Sequence, residues 1–118
     1  TAPTIPNSVT DMEGTFEKCT SLTTAPTIPN SVTDMERTFE KCTSLTVAPI
    51  IPENVTNMSI TFSGCTSLTG NIVINANPEN IALCFSGTIK PITLSGTSTK
   101  LESLAKTSSN NNVTVQTE

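Results

Sequence analysis

Thr24-Ala25-Pro26-Thr27-Ile28-Pro29-Asn30-Ser31-Val32-Thr33-Asp34-Met35-Glu36-Arg37-Thr38-Phe39-Glu40-Lys41-Cys42-Thr43-Ser44-Leu45-Thr46 repeats Thr1 to Thr23 letter for letter, except that Arg37 replaces Gly14. Val47 to Thr69 keeps fourteen of the same letters. A unit this short cannot bury its own apolar face, so each copy has to cover the next. The phase persists beyond the third copy: Ile5, Ile28, Ile51 and Ile74 are spaced by 23, as are Phe16, Phe39, Phe62 and Phe85. Met12, Met35 and Met58 are followed by Ile81 at the same phase.

A degenerate fourth copy therefore follows Thr69. The expected organisation is repeats over 1–94 (1–23, 24–46, 47–69 and 70–94) and a C-terminal capping unit over 95–118. Within a copy, Leu22 to Ile28 reads as a short extended segment, cut short by Pro26, which has no N–H to give a ladder. Val32, Met35, Phe39 and Cys42 follow at helical spacings, over a stretch short enough for a 3₁₀ or single α turn. Ile72/Ile74, Ile92/Leu94 and Val113/Val115 are i, i+2 pairs of strand type. Ser98 to Lys106 reads as a helix, Thr107 to Asn111 as a polar loop and Asn112 to Gln116 as a closing strand. A period of 23 lies in the leucine-rich-repeat range. The fold class predicted is α/β, a right-handed leucine-rich-repeat solenoid with short strands on one face and 3₁₀ or short helical turns on the other.

Composition narrows the function. Net charge is −4 and Lys plus Arg number only six, against nucleic-acid binding, which needs clustered positive charge. The longest apolar run is a few residues, so no membrane insertion is expected. No leader pattern opens the chain and Thr1 begins in mid-pattern, which reads as a piece of a longer protein. His is absent, so a Ser–His or Cys–His nucleophile pair cannot be built from this chain. No catalytic residue is assigned, and an enzyme is not expected.

Cys19, Cys42 and Cys65 share one phase and should form a column. The reading is a ladder of reduced, buried thiols; parallel side chains rarely meet the disulfide torsion, and an odd number leaves one over. A linear column without His does not suit zinc. Cys84, directly before Phe85, is out of phase and should point elsewhere. Asp11 and Asp34, with Asn57 next, form a row that caps turns; with two acids per row, no calcium site is assigned. No metal or cofactor is expected.

Ile51-Pro52-Glu53-Asn54-Val55-Thr56-Asn57-Met58-Ser59-Ile60-Thr61-Phe62-Ser63-Gly64-Cys65-Thr66-Ser67-Leu68-Thr69, with its counterparts from Ile5 and Ile28, resembles the BspA-like class of leucine-rich repeats. That family shows Ile-Pro, Val-Thr, an apolar residue, Phe, Cys and Leu-Thr at these intervals. The resemblance covers about 70 of the 118 residues. It implies a surface-exposed or secreted protein, and an adhesion role of the kind held by some members; a shared fold does not by itself transfer that role.

If Ile28, Ile51 and Ile74 face inward, Thr27, Ile50 and Val73 face outward, with Asn71 and Asn75 beside them. These five form the candidate binding face, although single exposed apolar residues are ordinary on any surface. Asn54-Val55-Thr56, Asn57-Met58-Ser59 and Asn112-Val113-Thr114 match the glycosylation acceptor pattern, relevant in a secreting eukaryote. The functional expectation is a non-catalytic cell-surface ligand-binding or adhesion module, its partner a host or neighbouring-cell surface protein. The alternative is a repeat spacer or stalk presenting another domain. A homodimer through the uncapped N-terminal end, Thr1 to Phe16, is also expected.

Overall fold

Proline sets where strands form. The computed structural model describes residues 4–108 and 111–116. Each of the first three copies carries proline at its third and sixth positions, as in Pro26/Pro29 and Pro49/Pro52; the fourth carries Ile72 and Asn75 there. A proline has no N–H to donate, so the ladder fails wherever it stands. Replacing it restores pairing. Asn75 N–H donates to Ile51 O at 2.9 Å, and Gly70–Val73 forms the first strand, β1.

Ile92–Ser95 is β2 and Val113–Val115 is β3. The three lie parallel in the order β1-β2-β3, with Ile72 opposite Leu94 and Leu94 opposite Val115. One helix, α1, spans Leu101–Ala105 between β2 and β3 and buries Leu104. It is shorter than Ser98 to Lys106: the Ser98 hydroxyl accepts the Lys100 N–H and closes a turn ahead of it. The expected loop from Thr107 to Asn111 falls partly outside the described residues, as do Thr1 to Pro3.

The structure corrects the predicted fold class. The right-handed α/β leucine-rich-repeat solenoid, with a strand and a helical turn in every copy, is not what is found. The body is small and compact, measuring 34 × 29 × 23 Å. The described residues hold a single three-stranded parallel sheet and one five-residue helix. Over 4–69 the described residues form turns and single-residue parallel bridges such as Thr24 to Val47 and Asp34 to Asn57, with no regular strand or helix.

The missing helical turns have a backbone cause. Gly14, Arg37, Ile60 and Leu83, 23 apart, all have positive φ, and so do Lys18, Lys41, Gly64 and Gly87. A left-handed residue cannot continue a right-handed helix. Each of these residues is instead the third of a four-residue turn: Thr15 N–H donates to Met12 O at 3.1 Å and Cys19 N–H to Phe16 O at 3.0 Å. The apolar residues nevertheless converge. Met12, Met35 and Met58, the four Phe and Leu45, Leu68, Ile51 and Ile74 form one buried cluster. The rings of Phe16, Phe39, Phe62 and Phe85 stack at 5.4–5.6 Å within 12° of parallel.

Candidate functional site

The interrupted ladder leaves a groove. Pro26, Thr27 and Asn30 from the second copy, Pro49 and Ile50 from the third and Asn75 from the fourth line an opening of about 310 Å³. Ile28, Ile51 and Ile74 point inward and are buried, which turns Thr27 and Ile50 outward. Ile50 is 61% exposed, the most exposed large apolar residue described. Among the described residues, the N–H groups of Thr27, Ile28 and Ile50 and the carbonyls of Pro26 and Pro49 make no hydrogen bond. A groove with open donors, open acceptors and apolar walls suits an uncharged, extended ligand. It holds no titratable side chain, so it has nothing with which to transfer a proton.

Three of the five outward residues expected from the sequence, Thr27, Ile50 and Asn75, come together here. Asn75 is also held from behind, its Oδ1 accepting the Thr97 N–H at 3.0 Å. The other two lie on β1 away from the groove. Val73 is half-buried, and Asn71 is exposed, its Oδ1 accepting the Ser95 hydroxyl at 3.0 Å. The groove walls, Pro26 and Pro49, did not figure among the expected binding residues. Their spacing of 23 was the available signal.

The thiols form a second constellation. Cys42, Cys65 and Cys84 are buried and Cys19 is half-buried; all four are free. Cys42 Sγ donates to Phe16 O at 3.0 Å and Cys65 Sγ to Phe39 O at 3.1 Å. Between them, Thr38 Oγ1 donates to Met12 O and Thr61 Oγ1 to Met35 O, at 2.9 and 2.8 Å. Cys84 does not point away, as its phase had suggested. It is fully buried at the Thr38/Thr61 phase, while Thr88, also buried, stands at the Cys42/Cys65 phase. The fourth copy has exchanged its two small inward donors.

Burial pushes the Cys42 thiol up to about 11 and Cys65 to about 12, from an ordinary value of 9.0, with Cys84 higher still. These thiols stay protonated at neutral pH and are poor nucleophiles. The linkage has a definite sign. Below pH 9 both folded and unfolded chains keep the protons; above it the unfolded chain loses them first, so stability falls from pH 9 to 12. The expected result is one thiol, Cys19, reacting rapidly with a disulfide reagent at pH 8 in the native protein, and a melting temperature that drops above pH 9. Rapid reaction of all four would contradict the burial.

Asp11, Glu13 and Asp34 bring carboxylate oxygens within 4.8 Å of one another. Asp11 Oδ1 accepts the Glu13 N–H and Asp34 Oδ1 the Glu36 N–H, both at 2.9 Å, so these acids close turns. In the third copy Asn57 does the same for Ser59, without a charge. No family model matches the chain, and neither a curated protein nor a solved structure is significantly similar to it. No helix among the described residues is long and apolar enough to cross a membrane.

Proposed function

We propose that the chain is a non-catalytic ligand-binding module of a cell-surface or secreted protein, working in adhesion to a host or neighbouring-cell surface protein. One observation carries the reading: the groove at Thr27, Ile50 and Asn75 offers backbone donors and acceptors beside an exposed apolar side chain. The resemblance of Ile5 to Thr69 to BspA-like repeats supports the adhesive role from the sequence side. Protonated, buried thiols and the absence of His support a non-enzymatic one.

The test is retention of protein-coated beads on a cultured epithelial monolayer under flow. Wild-type beads should be held above albumin-coated beads, and Ile50→Asp should lower retention about tenfold, the scale of losing one well-placed apolar contact. Ile50 is exposed, so that variant should keep the wild-type melting curve. Equal retention of Ile50→Asp and wild type removes the groove from the contact. Wild-type retention no better than albumin favours the spacer reading, which the near-identity of the first two copies supports.

A further inference from the structure

Between the first and second copies, four N–H groups donate in one direction: Met12 to Asp34 O, Gly14 to Glu36 O, Phe16 to Thr38 O and Lys18 to Glu40 O, at 2.7–3.0 Å. The same four bonds join the second copy to the third, from Met35, Arg37, Phe39 and Lys41, and the third to the fourth, from Met58, Ile60, Phe62 and Gly64. Over this stretch the backbone donors are on the earlier copy and their acceptors on the later one, whereas the Thr33 and Asp34 N–H groups just ahead of it, and the Thr38 and Cys42 side chains, donate back to the earlier copy. Along residues 12–18 and their counterparts, each copy thus turns backbone N–H groups to its successor and carbonyls to its predecessor.

The C-terminal side is closed: Thr107 Oγ1 accepts the Phe85 N–H at 2.9 Å, and Leu104 of α1 is buried in the core cluster. The other side is open. Among the described residues, the carbonyls of Asp11, Glu13, Thr15 and Glu17 accept no hydrogen bond, although their counterparts in each later copy do. Apolar packing is incomplete at the same edge. Val9, Cys19 and Leu22 are half-buried, whereas Val32, Cys42 and Leu45, the same letters one copy on, are fully buried.

We propose that this edge is a docking face for a polypeptide unit of the same 23-residue pattern, one that presents backbone N–H groups at alternate residues. The internal interface, repeated three times, defines the occupant: N–H groups to meet four carbonyls, a Phe to stack on Phe16 and a carbonyl to accept the Cys19 thiol, as Phe16 accepts that of Cys42. A two-fold dimer through this edge, the sequence-based expectation, would set carbonyl row against carbonyl row, with Asp11, Glu13 and Glu17 of both molecules between them. Along the Asp11, Glu13, Thr15 and Glu17 carbonyls the edge requires donors, and its mirror offers carbonyls there. The inference is independent of the groove.

The experiment places an additional copy of residues 24–46 directly ahead of Thr1 and compares three chains. The extended chain should melt about 5 °C or more above the original, and its Cys19 should react at least tenfold more slowly with a disulfide reagent. A control extension carries the same 23 residues in scrambled order, which keeps length and composition but removes the repeat pattern. It should show neither effect. Unchanged Cys19 reactivity in the first extension, or equal protection by the scrambled control, would overturn the proposal. So would a concentration-dependent dimer of the unextended chain that shields Cys19.

Discussion

Phe62→Ala should lower stability by about 3–5 kcal/mol, the cost of a cavity left by a large buried side chain. The Phe62 ring is fully buried between Phe39 and Phe85, 5.6 and 5.4 Å away. The backbones on either side are held apart by the Phe39 to Thr61 and Phe62 to Cys84 bonds, at 3.0 and 2.9 Å, so the gap cannot close by collapse. For a small domain this is a large share of about 5–15 kcal/mol in total. Phe16→Ala should cost about half as much, since that ring has a neighbour on one side only and is 8% exposed. Urea melts followed by far-ultraviolet circular dichroism would measure both. Equal losses would mean that the stacked column is not what the chain rests on.

Gly96→Ala should be nearly as damaging. Gly96 has φ +112°, and a methyl group there would clash with Ile74 O and lie 2.8 Å from Ile74 N. Both atoms are in use: Ile74 N–H donates to Ser95 O at 2.8 Å, and Ile74 O accepts the Ser98 N–H at 3.1 Å. The backbone must shift, breaking the join of Ile74, just past β1, to β2 and to the segment leading to α1. Strain and lost bonds together should cost about 3 kcal/mol or more. Gly70→Ala is the control. Its φ is also positive, at +91°, but the new methyl would meet nothing within 4 Å. A melting temperature for Gly96→Ala equal to that of Gly70→Ala would rule out the clash.

Much of the packing was legible because it follows phase. The 23-residue spacing of Ile, Met, Phe and Cys identified side chains that meet in the buried cluster; the pairs Ile92/Leu94 and Val113/Val115 fell on β2 and β3, while of Ile72/Ile74 only Ile72 lies on β1. The backbone path was not legible. Val32, Met35, Phe39 and Cys42 share a face at helical spacing, yet they reach it through successive tight turns. The residues that force those turns, among them Arg37, Lys41, Ile60 and Leu83, have no preference for positive φ. Proline was readable one residue at a time. Pro26 announced a break in the strand, but only the structure shows that breaks at Pro26 and Pro49 meet around Ile50 to form a groove. Cys84 misled for a related reason: an exchange of Cys and Thr within one copy preserves two small inward donors while shifting the letter by four.

The uniform offset of the cross-copy bonds also bears on the order in which the chain folds. The side-chain and backbone bonds that join neighbouring copies in residues 4–88 span 21 to 26 residues. Closing a loop of that length costs roughly 3 kcal/mol in chain entropy, and the logarithmic dependence makes the cost nearly the same at every interface. Topology therefore gives no pair of copies a head start. The first contact falls to whichever interface gains most on closure, and the middle one qualifies, with Phe39 on Phe62 and Cys65 on Phe39 O, all buried. Growth then runs outward both ways, and the first copy, covered on one side only, is the last to settle and the first to open.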